Sequence, residues 1–180
     1  MAAVNSAGRL GLSFEIQGVP QMNRVLGAKI SAIKDLRPIW KDVCRLLRKN
    51  EFDTFLKQGA VGEAAPESGV GTWGEWKELN KKYAARKAAD GFGSKILIRE
   101  GYLFRSLVLE KTKGSVFGPH PLWMEYGTTI PYAAVHQRPK PTNKLPKREP
   151  LRITKVTVRG VVRLISKYLS DSGQKERANI

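Results

Sequence analysis

Cysteine occurs once in these 180 residues, at Cys44, and histidine twice, at His120 and His136. One cysteine excludes an intramolecular disulfide framework and a cysteine-rich metal site. Its surroundings, WKDVCRLL, read as the apolar face of a helix, so Cys44 is expected to be a small core residue. Long apolar runs are also missing. No stretch of about 18 such residues exists, so no membrane-spanning helix is expected. The opening residues, MAAVNSAGRLGLSFEI, lack a long apolar stretch behind a basic start and do not read as a signal peptide. The expected setting is a reducing cytoplasm, or a particle assembled there. Acidic residues are the remaining shortage: 16 Asp+Glu face 32 Lys+Arg, a formal net charge of +16. That excess implies a polyanionic neighbour, either nucleic acid or an acidic protein surface, unless it is only a solvated positive face.

Convergent reactive groups are scarce as well. His120 lies between prolines in GPHPLW, and His136 lies on the short turn YAAVHQ; both read as packed or hydrogen-bonded turn residues. Glu125 and His136 are the one pair that an enzyme could use, yet no HxxE, HxxH or CxxC spacing accompanies them. GVGTWG and GFGSK lack the strand–glycine–helix context of a phosphate-binding loop. Ser94, Ser106 and Ser115 have no nucleophile-elbow glycines around them. The expectation is a protein without catalytic, cofactor or metal site.

What is present is a chain of ordinary globular make-up, 41% hydrophobic and long enough for one domain. Residues 1–8 are small and polar and predict a loose arm, followed by a single domain over 9–170 and a polar tail over 171–180. Leu10, Leu12, Phe14 and Ile16 alternate with polar or small residues, which predicts a half-buried strand. From Gln21 to Lys57 the period becomes helical. Met22, Val25, Leu26, Ile30, Ile33 and Leu36 form the apolar side, and Pro38 predicts a kink near Arg37. The second section continues through Ile39, Trp40, Val43, Leu46, Leu47, Phe52, Phe55 and Leu56. Its opposite side, with Lys41, Arg45, Arg48, Lys49, Asp42, Glu51 and Asp53, reads as solvated.

Residues 58–74 are rich in Gly, Ala, Ser and Pro and predict a long loop. LNKKYAARKAAD then predicts a helix ending at Gly91. Leu107–Lys111 and Ser115–Phe117 predict a hairpin about Lys113-Gly114, with Leu122–Tyr126 a further strand. Residues 138–150, RPKPTNKLPKREP, predict an extended basic, proline-rich loop. LRITK reads as a strand and Val156–Leu169 as a closing helix, with Val158, Val161, Val162, Ile165 and Leu169 inward. From Arg138 to Arg163 the bases Arg138, Lys140, Lys144, Lys147, Arg148, Arg152, Lys155, Arg159 and Arg163 face one carboxylate, Glu149. Such a run suits phosphates, read without regard to base, or a protein partner.

Two segments stand out: KILIREGYLFRSL at 95–107 and MEYGTTIPYAAVHQ at 124–137. Preceded by WKEL, Tyr83 and Lys87, and followed by a basic proline-rich stretch and Glu149-Pro150-Leu151, their order resembles the phage virion morphogenesis family. These are tail-completion proteins of Mu-like and related tailed phages. The resemblance covers about residues 73–170 and rests on Ile96, Leu97, Gly101, Leu103 and Ser106 in the first motif. In the second it rests on Tyr126, Gly127, Tyr132, Ala133, His136 and Gln137. Family members usually carry a glycine after His-Gln, where this chain has Arg138-Pro139. They commonly carry Arg-Pro-Phe before the last helix, where this chain has Arg148-Glu149-Pro150-Leu151.

The resemblance implies an α+β fold, an antiparallel sheet against one long kinked helical segment and a C-terminal helix. It also implies a structural virion protein, a ring-forming tail-terminator or neck component, usually a hexamer, located in the virion at the upper end of the tail. Implied partners are further copies of itself, the tail tube and the head–tail connector, with no membrane. The basic arm (Arg138, Lys140, Lys144, Lys147, Arg148, Arg152) would dock on acidic surfaces or meet packaged DNA. The alternative from composition alone is a sequence-nonspecific nucleic-acid-binding protein.

Overall fold

The computed structural model describes residues 2–4, 10–12, 19–65, 70–139 and 145–178. The class is α+β, with six helices and three two-stranded antiparallel sheets among those residues. β1 (Ala2–Val4) pairs with β2 (Leu10–Leu12), so the stretch expected to be a loose arm contains a strand. Phe14 and Ile16 lie outside the described residues.

α1 (Val19–Lys34) and α2 (Arg37–Leu56) are separated at Asp35-Leu36. Pro38 has no N–H and would clash with the carbonyl four residues back, so one helix cannot run through. The same proline is harmless in the first turn of α2. Asp35 accepts from the Arg37 N–H at 3.0 Å and binds its guanidinium at 2.7 Å, which holds the Asp35 carboxyl below its ordinary range.

α2 is the axis of the molecule. Its N-terminal half contributes Ile39, Trp40 and Val43 to a cluster with Val161, Leu164, Ile165 and Tyr168 of α6 (Lys155–Ala178). α6 reaches Ala178, so most of the expected polar tail is helical; QKERA consists of good helix formers. Val162, expected inward, is exposed. α6 also packs along α1. It approaches α2 closely at Gly160, where a Cβ would stand 2.6 Å from Leu46 Cδ2.

The C-terminal half of α2 lies in a second cluster, where Phe55 meets Trp76, Ile96, Leu103, Leu107 and Ala133. Leu103 and Leu107 belong to α4 (Tyr102–Val108) and are fully buried. That overturns the strand expected at Leu107–Lys111: a fully buried i, i+4 leucine pair favours the helix over the β-like run Leu107-Val108-Leu109. The hairpin forms instead between β5 (Ser115–Pro119) and β6 (Met124–Thr128), with Phe117 opposite Tyr126. α5 (Pro131–Gln137) follows directly.

Residues 58–74 are not a featureless loop. They carry the short hairpin β3 (Gly62–Glu63) and β4 (Thr72–Trp73), and Ala64 bridges Thr154. That single bridge is all that remains of the strand expected in LRITK. Strands of two to five residues leave little edge for further pairing, so three separate hairpins stand where one sheet was expected. α3 (Lys81–Ala89) starts at Asn80, whose side chain accepts from the Lys82 N–H at 3.0 Å.

Where α2 passes between the two clusters, its face is polar and buried. Asn50 donates to the Arg152 carbonyl. Its Oδ1 accepts from Thr157 Oγ1 at 2.7 Å and from Thr154 Oγ1 at 3.2 Å. Thr154 also accepts from the Thr157 N–H at 3.2 Å and so starts α6. Glu51, read as solvated, is completely buried here, and Arg48 of the same expected face is buried too. Burial pushes the Glu51 carboxyl up to about 8, against the bond from Asn50 and the charge of Arg152.

Candidate functional site

The motif residues converge on the second cluster, and most of them act as fasteners. Ile96, Leu103 and Ala133 are buried in it, with Leu97 packed alongside. Gly101 takes φ +79 immediately before α4, a conformation that side chains disfavour. Ser106 Oγ lies 2.7 Å from Thr128 Oγ1 and 2.9 Å from the Leu103 carbonyl, tying α4 to the end of β6. Tyr126 donates to the Leu107 carbonyl at 2.7 Å. Gly127 pairs with Val116 inside β6 rather than forming a turn. Gln137 grips Leu151 twice, donating to its carbonyl at 3.1 Å and accepting its N–H at 3.0 Å.

Four side chains further tie residues 73–78 to 148–153, and the sequence announced them only as two tryptophans and a basic run. Trp73 Nε1 donates to the Ile153 carbonyl at 3.0 Å and Trp76 Nε1 to that of Glu149 at 3.1 Å. Arg148 donates to the carbonyls of Lys77 and Glu78, both at 2.7 Å. Arg152 donates to those of Gly59 and Gly74 and lies over both indole rings, 5.0 and 5.7 Å from their centroids. Gly59 is required there. It has φ +100, and a Cβ would meet Arg152 Nη1 at 2.6 Å and Trp76 Cδ1 at 2.8 Å.

The expected basic arm is corrected accordingly. Arg148 and Arg152 are each only 6% exposed and hold the fold together, so they offer nothing to a partner. Arg138 and Lys147 are exposed, with Lys147 paired to Glu149. Lys140 and Lys144 lie outside the described residues. Further along, Lys155 pairs with Glu63 at 3.0 Å. Arg159, Arg163 and Lys167 form an exposed line on α6 at four-residue steps.

Between α3, residues 97–102, α5 and residues 145–148 opens a cleft of about 1310 Å³. Tyr83, Tyr102 and Tyr132 line it with Leu97, Ile98 and Leu145. His136 lies in its wall with Nδ1 buried and unbonded among the described residues. Burial, and next the charge of Arg148, holds this histidine below its ordinary value, so the ring is neutral at pH 7. Lys87, on the basic side of α3, is buried beside the cleft and donates to the Lys95 carbonyl at 2.6 Å. Glu125 sits instead, exposed, on β6 against Gly118, and no hydrogen bond or ion pair joins it to His136 among the described residues. In the same residues no three metal-ligating side chains cluster, and no helix is long and apolar enough to cross a membrane.

Two apolar features lie on the outside. On α1, Val25 and Ala32 are buried while Met22, Leu26, Ile30 and Ile33 are about half exposed. Those four fall within one arc of roughly 80° at 3.6 residues per turn. At the β5–β6 turn, Leu122 is 62% and Trp123 52% exposed. No family model, curated protein or solved structure matches this chain.

Proposed function

We propose that this chain is a structural subunit of a tailed-phage virion, a tail-completion or tail-terminator protein that assembles as a ring of six copies at the head–tail junction. The observation that carries this reading is the α1 stripe. A helix that buries Val25 and Ala32 against its own molecule while exposing Met22, Leu26, Ile30 and Ile33 is built to be covered by something else. The order of the two sequence motifs supplies the kind of assembly, and the tail tube and connector are its proposed partners. Ser106, Tyr126 and Gln137 fit a scaffold role because their polar atoms are used on the chain's own backbone. The mechanism is association by shape and charge, without chemistry.

The second reading, nucleic-acid binding, is favoured by the exposed line Arg159, Arg163 and Lys167 on α6. It predicts affinity for duplex DNA that falls steeply with salt. Light scattering coupled to size exclusion at moderate salt, with and without duplex DNA and tail tubes, separates the two. A discrete multimer indifferent to DNA, or one formed on tubes, supports the ring. A monomer that shifts only with DNA overturns it.

A further inference from the structure

The ring reading requires two different surfaces on each subunit, because copies related by rotation about an axis meet head to tail. We infer that those surfaces are the β5–β6 turn of one copy and the tyrosine-lined cleft of the next, with Leu122 and Trp123 seated in the cleft. This inference deepens the proposed function and rests on it.

The turn is held rigidly. Pro119 and Pro121 restrict its backbone, and the His120 N–H donates to the Trp123 carbonyl at 2.9 Å. The His120 and Trp123 rings stack with centroids 3.7 Å apart and planes 13° from parallel. Its base is fastened to the start of α2, where Leu36 N–H donates to the Pro121 carbonyl at 2.7 Å and Trp40 Nε1 to that of His120. Leu122 and Trp123 are nonetheless more than half exposed. A tryptophan fixed in place and left in water loses little freedom on docking, and tryptophan is prominent among residues that dominate interfaces.

Charge selects the occupant. The chain carries +16, yet no lysine or arginine occurs from Ser115 to Gln137, where Glu125 is the sole charged residue. The hairpin is therefore a part of this molecule that another equally basic copy can meet without repulsion, and unlike residues 58–76, which also lack lysine and arginine, it offers a large exposed apolar pair, Leu122 and Trp123. The cleft rim supplies the complement, with Lys77, Lys81 and Arg99 against Glu78 and Glu100. At about 1310 Å³ the cleft exceeds the roughly 300–1,000 Å³ of small-molecule pockets and suits a piece of polypeptide.

Geometry excludes self-occupation. The turn is bound at Leu36 and Trp40, whereas the walls of the cleft pack around Phe55 and Trp76. From Trp40 to Phe55 is about 22 Å along α2 at 1.5 Å per residue. The tip and the cleft of one molecule lie at opposite ends of that helix, so the contact is made between molecules and repeats from copy to copy.

Two double variants test this, both changing exposed side chains: Leu122→Ser with Trp123→Ala, and Tyr83→Ala with Tyr102→Ala. Circular dichroism checks their folding, and light scattering reads their mass, alone and mixed in equal amounts, on tail tubes if the wild type assembles only there. Each variant alone is expected to be monomeric. The mixture is expected to stop at a dimer, since one intact tip enters one intact cleft and the chain of contacts ends. Multimers that persist in both variants, or a mixture that stays monomeric, overturn the tip-and-cleft contact while leaving the ring standing. A wild type that never self-associates, with or without tubes, overturns both. Should a variant fail to fold, a benzoylphenylalanine photoprobe in place of Trp123 gives the answer. Cross-links to the Tyr83, Tyr102 or Tyr132 peptides of a second copy support the contact; cross-links elsewhere, or none, overturn it.

Discussion

The two ends of α2 differ in how completely they are satisfied. Around Phe55 the packing is supplied by the chain itself: Leu103 and Leu107 are fully buried, and buried arginines cap backbone carbonyls. Beyond Leu36, α1 keeps one face on α6 and leaves a second apolar stripe in water. The packed interior of the first end is closed within the monomer, with the tyrosine-lined cleft opening beside it, and the second end leaves apolar surface uncovered. What holds the fold together and what is left uncovered are therefore separable features of this molecule.

The strongest way to break that distinction is at the packed end. Leu103→Ala removes a side chain with no exposure and should cost about 2–5 kcal/mol, read as a lower midpoint in urea unfolding. Arg152→Ala comes next. It strands the Gly59 and Gly74 carbonyls and should cost on the order of 2–4 kcal/mol. The same truncation at exposed Arg138 should leave stability within about 0.5 kcal/mol, so equal effects at both positions would refute the structural role assigned to Arg152.

A subtler probe of the polar zone between the two ends is pH. Folded Glu51 holds its proton up to about 8, whereas the unfolded carboxyl releases it near its ordinary 4.5. The unfolded chain thus binds fewer protons between these values, and this residue makes stability fall as pH rises through that window. Glu51→Gln should flatten the fall, checked by urea midpoints at pH 5 and pH 8. An unchanged slope would mean that Glu51 is ionised beside Arg152. The smallest effect on stability belongs to the uncovered end. Leu26→Ser with Ile30→Ser should shift the monomer's midpoint by no more than about 0.5 kcal/mol per site while lowering the mass seen by light scattering.

The sequence made the helices legible because their apolar period is strong, and Pro38 marked the break between α1 and α2. Burial was harder to read wherever a residue's chemistry argues against it. Arg148, Arg152, Glu51 and Lys87 look like surface until the carbonyls and indoles that surround them are known, and those lie up to 93 residues away. The signals were there, tryptophans at 73 and 76 and arginines at 148 and 152, but spacing does not tell which segment meets which. On α1 the error ran the other way: six apolar residues at helical spacing gave one face, whereas only part of it meets α6. The cleft drew on four segments distant in sequence, and only its motif residues had been singled out.

Asn50 finds its partners 102 to 107 residues further along the chain, at Arg152, Thr154 and Thr157. A ribosome making this protein finishes α2 long before it makes anything that fits the middle of it. The nascent chain therefore holds an incomplete body until the start of α6 has left the exit tunnel, and only then does the long-range closure that locks the fold become available.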